Sequence, residues 1–180
     1  MKGSNPHIYF ITGASGVGKT TLVSQLEGKY RNKPGWLFLH FDAMGVPSKD
    51  EMKSEYGSEE NWQKETTQTW VQKMLTEHQD KTVIIFEGQV NLNFIKDSFK
   101  AHDFFDYTTV LIDCNKSIVR SRLVEERMQP ELATDIMDNW RDLLRKQAQE
   151  LAVDIIDTNI FNRDESVAVI ERIFQRDGFL

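Results

Sequence analysis

Cysteine is almost missing from this chain; Cys114 stands alone. No intrachain disulfide can form, and no cysteine cluster can hold zinc. Positive charge is in deficit, with 22 Lys and Arg against 28 Asp and Glu and a net charge of −6. A protein whose main task is to grip DNA or RNA carries a basic footprint instead. Long apolar runs are missing too, and none approaches the roughly 20 residues of a membrane helix. The opening MKGSNP leads into too few apolar residues for a signal peptide. His7, His40, His78 and His102 are scattered and suggest no transition-metal site. Of these, His40 reads as a core position. The expectation is a cytoplasmic protein with neither a membrane nor a nucleic-acid partner. What is present, 180 residues of which 39% are hydrophobic, suits one domain with a real core over 1–180.

Short apolar runs alternate with longer helical patterns. The runs 7–12, 36–41, 82–86, 107–113 and 153–157 are mostly apolar and read as strands buried on both faces. Helical spacing covers 21–30, 59–78, 92–99, 117–128, 135–151 and 165–176. In 59–78 the expected inner stripe is Trp62, Thr66, Thr69, Trp70 and Met74. Strands alternating with helices predict a parallel sheet covered on both faces. Two gaps, 42–81 and 114–152, exceed the dozen or so residues a crossover needs. Each has room for a small element facing a substrate. The polar, turn-rich 45–61 reads as the mobile part of the first.

Between the first run and the first helix lies Gly13-Ala14-Ser15-Gly16-Val17-Gly18-Lys19-Thr20, followed by Thr21. It matches G-x-x-x-x-G-K-[ST] in full. A polyphosphate needs several N–H donors converging on its oxygens. Small residues let the backbone approach, and glycine supplies positive φ where the loop curls. The helix that follows presents unpaired amides and its dipole to the anion. Lys19 can reach the β- and γ-phosphates, and the Thr20 hydroxyl can ligate Mg²⁺.

The strand, GASGVGKTT, the acidic residue after the second strand, VIIFEG and the arginine-rich helix after the fourth strand resemble the P-loop kinases of small molecules and nucleotides. The resemblance spans most of the chain as element order, and its one specific motif is the glycine loop. It implies a P-loop NTPase fold, a three-layer α/β/α architecture with a five-stranded parallel sheet in the order 2-3-1-4-5. It further implies a substrate-facing insertion at about 43–80, an arginine-bearing lid at about 115–145, and ATP with Mg²⁺. A GTPase fits less well. Asn115-Lys116 is followed by Ile118 where a guanine-reading motif has aspartate, and FEGQ stands where a D-x-x-G switch would be. A motor or remodelling ATPase would have a longer chain.

Asp42 ends the second strand, and ligands of a parallel sheet sit outside the carboxyl ends of its strands. Its candidate role is to orient or deprotonate an acceptor hydroxyl; the competing reading is a helix cap or turn. Glu87, at the end of the third strand, is implied to lie near Thr20 and to share the Mg²⁺ shell. Gln89, Asn91 and Asn93 are amides suited either to a polar substrate or to capping the next helix. Arg120 and Arg127, seven apart in one helical pattern, share a face and are the first candidates for lid arginines. Arg122 has an adequate bland explanation as a partner of Glu126 at i,i+4. Arg141 is the next candidate, toward the substrate. Thr158 and Asn159 fall where the resemblance puts the adenine base. The reading is a kinase that passes the γ-phosphoryl group of ATP to a small-molecule acceptor. A nucleic-acid-end or RNA-modifying kinase and a regulatory nucleotide-binding module are the alternatives. Nothing in the sequence names the acceptor or the oligomeric state.

Overall fold

The computed structural model describes residues 5–180. Met1–Ser4, part of the stretch read for a signal peptide, lie outside the described residues. Five parallel strands form one sheet: β1 (His7–Thr12), β2 (Trp36–His40), β3 (Val83–Gly88), β4 (Tyr107–Asp113) and β5 (Asp154–Asp157). Their spatial order is β2-β3-β1-β4-β5, and β1 sits at the centre with every residue buried. Alternation splits its side chains between two cores. Ile8 and Phe10 join Ile84 and Phe86 on one face, while Tyr9 and Ile11 join Val83 and Ile85 on the other. This period of two, repeated in β3, is what makes the molecule three-layered.

Helices α1 (Lys19–Tyr30) and α7 (Arg163–Arg176) cover the Tyr9 face. On the Phe10 face lie α2 (Lys49–Tyr56), α3 (Glu59–Glu77) and α4 (Leu92–Ala101). After β4 come α5 (Lys116–Ser121), a π turn at Arg122–Glu126, and α6 (Asp135–Glu150). Among the described residues no helix is long and apolar enough to cross a membrane.

Three local expectations need correction. The segment 45–61 is not a loose loop, because α2 occupies most of it. The Ser48 side chain accepts the Glu51 N–H, and the Glu51 carboxylate accepts the Ser48 N–H at 2.7 Å, a reciprocal cap that starts the helix. Met52 anchors it in the core. In α3, Thr69 is exposed and Thr67 is buried beside Trp62, Thr66, Trp70 and Met74. Each i+4 step advances the buried stripe by about 40° around the helix, so Thr69 falls off its edge. The continuous helix expected over 117–128 is broken. The Arg127 N–H donates to the Arg122 carbonyl at 2.9 Å, five residues back rather than four. That wider turn rotates everything beyond Arg122 and removes the shared face of Arg120 and Arg127.

Candidate active site

The glycine loop joins the carboxyl end of β1 to α1, and each glycine answers a steric need. A Cβ on Gly13 would lie 2.4 Å from the Ile112 carbonyl oxygen of β4. Gly16 and Gly18 have φ of +83° and +98°, a region that side chains resist. α1 has no side-chain cap and no acidic residue in its first turn. The other six α-helices each start with a capping side chain, from Ser48, Ser58, Asn91, Asn115, Thr134 and Asn162. The first-turn amides of α1 therefore face outward with their positive potential uncancelled.

On one side of this loop stand the ends of β2 and β3. Lys19 Nζ lies 3.4 Å from Glu87 Oε2. The other oxygen of Glu87 lies 3.3 Å from His40 Nδ1. Oε2 itself is buried with no hydrogen-bond partner. His40 is thus not a core residue: its side chain is 39% exposed and reaches toward Glu87 and Glu27. The parallel register explains this, because His40 pairs with Glu87 and so shares its face. Asp42 is exposed in a short 3₁₀ turn, Phe41–Met44. That turn is held from behind. Trp70 Nε1–H donates to the Phe41 carbonyl at 3.0 Å, and Phe41 packs where a Cβ on Gly88 would be, 2.5 Å away.

The connection from β3 to α4 is pinned by side chains that sequence reasoning did not single out. Thr12 exchanges two hydrogen bonds with Val90, at 2.8 and 3.0 Å. Gln63 donates to the Gln89 carbonyl and accepts the Asn91 N–H, and Gln147 accepts the Leu92 N–H. Gln89 accepts the Ser15 hydroxyl at 3.0 Å, which ties this connection to the glycine loop. Asn91 caps α4 by accepting the Asn93 N–H at 2.9 Å. No sequence pattern marks Gln63 or Gln147, since their partners are backbone groups distant in the chain.

The other side of the loop belongs to the lid segment. Arg122 leans over it, donating to Thr158 Oγ1 at 3.1 Å and to the Val17 carbonyl at 3.3 Å. Arg122 and Arg127 line a cavity of about 600 Å³ together with Gly18, Lys19, Thr20, Thr21 and Thr158. Arg120 does not border this cavity; its guanidinium lies on Asp138, with Nε at 3.0 Å, and on Asp135. Arg120 and Arg122 lie on different faces of the helix, and the π turn that begins at Arg122 carries Arg127 to the side of Arg122. Arg141 donates to the Cys114 carbonyl at 2.6 Å and pairs with Asp142. Beside it Arg145 lies 3.1 Å from buried Asp113. Burial pushes the Asp113 carboxyl up, and the Cys114 N–H and the two arginines only partly oppose this. Asn159 is also outside the cavity, accepting a hydrogen bond from Asn115 at 2.8 Å.

Known proteins share this fold. Residues 10–139 match the family model described as AAA domain. No curated protein is matched by the sequence. Among solved structures, the shikimate kinase from Acinetobacter baumannii in complex with shikimate aligns over 99% of this chain and 97% of its own, with TM-score 0.63 and 17% identity. The tunicamycin resistance protein of Deinococcus radiodurans aligns over 98% of both chains, with TM-score 0.64 and 19% identity. At such identities the likeness is one of fold. The glycine loop, the strand order and the family match agree, and the chain belongs to the AAA domain family, a P-loop NTPase with the fold of the P-loop kinases.

Proposed function

We propose that this protein is a phosphotransferase that passes the γ-phosphoryl group of ATP to a small-molecule hydroxyl. The observation that carries the reading is the pairing of opposite walls in one cavity. Lys19, Thr20 and the uncapped start of α1 form one wall, and Arg122 and Arg127 form the other. Such a cradle supplies amides and cations to a polyphosphate from two directions.

Mg²⁺ suits the residues present. Glu87 Oε2 is a buried carboxylate oxygen without a hydrogen-bond partner, 3.4 Å from the Lys19 ammonium, and Thr20 follows Lys19 in the chain. Hard oxygen donors of this kind are what the ion takes. Thr20 and Glu87 would hold it, and when bound it supplies neutralising charge to the β- and γ-phosphates.

The chain's own residues do the rest. The loop amides and Lys19 bind the β- and γ-phosphates, and Thr158 and the residues around it border the base. Asp42, exposed at the end of β2, orients the acceptor hydroxyl and takes its proton. The acceptor oxygen bonds to the γ-phosphorus as the bond to the β–γ bridging oxygen breaks, and ADP leaves. Arg122 and Arg127 offset charge on the transferring group. Gln89 and Arg141 are further candidates on the acceptor side. Closure of the lid and of the α2–α3 insertion excludes water, itself a competent acceptor.

The test is thermal stabilisation by a non-hydrolysable ATP analogue with Mg²⁺, followed by ADP release in the presence of candidate acceptors. The panel holds nucleosides, nucleoside monophosphates, sugars and antibiotics, with shikimate and tunicamycin added because of the two structural neighbours. Lys19→Ala should abolish the stabilisation, and unchanged binding would sink the scheme. Asp42→Asn should bind nucleotide and lose transfer; full activity would remove Asp42 from the chemistry.

A further inference from the structure

A series of four side chains runs beside the glycine loop, and the motif accounts only for its last member, Lys19. Glu27, two turns into α1, lies 3.9 Å from His40 Nε2. His40 Nδ1 lies 3.3 Å from Glu87 Oε1, and Glu87 Oε2 lies 3.4 Å from Lys19. Because Lys19 and Glu27 both belong to α1, the series closes on the helix from which it starts. The geometry points to His40 as a positioning residue for Glu87, one that holds Oε1 so that Oε2 stays aimed at the metal position beside Lys19 and Thr20. This rests on the kinase reading above.

The first support is accounting. Glu87 is a buried residue and has, among the described residues, one hydrogen-bonding side chain, His40. A carboxylate only accepts, so this contact places a proton on His40 Nδ1. Without it the carboxylate keeps only the 3.4 Å contact of Oε2 with Lys19, which can follow either oxygen on its flexible stem.

The second support is placement. The register that pairs His40 with Glu87 across β2 and β3 is set by the two strands along their whole length, from Trp36 opposite Val83 onward. The imidazole is therefore delivered by the sheet, a rigid element, rather than by a loop. Glu27 stands on its far side, 3.9 Å from Nε2.

The third support is that the pairing is poorly explained as a stability device. His40 is more than a third exposed, and an exposed pair of this kind is worth little. Its neighbours in β2 on the same face, Phe38 and Trp36, pack against the core, whereas His40 ends the row beside a buried carboxylate. A partner that holds a metal-binding carboxylate typically changes metal affinity about 10- to 100-fold when removed.

The test measures the Mg²⁺ concentration at half-maximal thermal stabilisation, at fixed non-hydrolysable ATP analogue, in the full chain. His40→Ala and His40→Leu both lack the donor, so one of them decides if the other does not fold. The expected result is a midpoint raised about tenfold or more, with stabilisation by the nucleotide in EDTA unchanged. His40→Asn keeps an N–H near the Nδ1 position and should restore the midpoint to within about threefold of the parent. In a Glu87→Gln background, removing His40 should add nothing further, because both changes act through one carboxylate. A parent-like midpoint in the alanine and leucine variants, or additive effects with Glu87→Gln, would overturn the role of His40. If the unmodified protein shows no Mg²⁺-dependent stabilisation at all, the kinase reading fails instead.

Discussion

Replacing Gly13 by alanine probes how tightly the glycine loop is held against the sheet. The new Cβ would stand 2.4 Å from the Ile112 carbonyl oxygen and 3.0 Å from a Val17 methyl. The first obstacle is backbone within a paired strand, so the loop must give way rather than β4. Reaching ordinary contact requires a shift of roughly 1 Å at the entrance to the loop. Overpacking of this kind costs about 1–3 kcal/mol. In a chain of this size each kcal/mol moves the melting temperature by about 2–4 °C. A shift of about 1 Å also misaligns donors that must converge on phosphate oxygens, and such misplacement can cost about 100-fold. The control is Gly28→Ala in α1, where no atom lies within 4 Å of the added Cβ. There alanine should stabilise by about 0.4–1 kcal/mol through helix propensity and the unfolded chain. Thermal melts and calorimetric titration with a non-hydrolysable ATP analogue read both effects. The reasoning is refuted if Gly13→Ala melts with the parent and binds nucleotide normally, or if the two glycine variants behave alike.

The two lid-segment arginines should separate cleanly. Arg122→Ala should weaken nucleotide binding about tenfold or more, with little change in melting, whereas Arg120→Ala should lower the melting temperature and leave affinity intact; the opposite pattern would return Arg120 to the cavity. Ser48→Ala should destabilise α2 by about 1 kcal/mol, seen as faster amide exchange over Lys49–Tyr56, and unchanged exchange would mean that the reciprocal cap does not hold this helix. At the far end of the sheet, burial alone would raise the Asp177 carboxyl, but Arg176, Thr108 and Tyr9 together hold it below the usual carboxylate range. A depressed folded pKa gives stability that is present above the unfolded value, about 3.9, and lost as pH falls through the lower folded value. Asp177→Asn should therefore lower the melting temperature at neutral pH, with the gap to the parent closing in acid. An equal deficit at both pH values would show that the carboxylate's charge is not what matters.

The strands could be read in advance because each is a short apolar run, and burial on both faces leaves no other use for such a run. β1 and β4 keep the expected ends, and the ends of the others shift by at most two residues. Glu87 and Gly88 lie within β3 although their polarity and flexibility suggested that the strand stops at Phe86. Pairing decided this: Glu87 faces Ile11 on one side and His40 on the other, so ladder hydrogen bonds carry the strand past its apolar part. Ser48 and Glu51 form the capping box of α2, yet the polar composition around them reads as loop. What selects helix there is Met52, whose burial against the distant core outweighs a local preference.

The sequence alone determined where a polyphosphate loop lies, because that chemistry depends on eight consecutive residues and the strand and helix beside them. It also determined the alternation from which the parallel sheet follows. Only the tertiary structure decided which arginine leans over the loop. The packing of α5 sets Arg122 over the loop and Arg120 on Asp138, and no pattern in the residues there marks it. The same holds for Gln63, Gln147 and His40, which meet their partners across 26 to 55 residues of chain. Those contacts are made by strand register and helix packing, and a sequence read along its length carries neither.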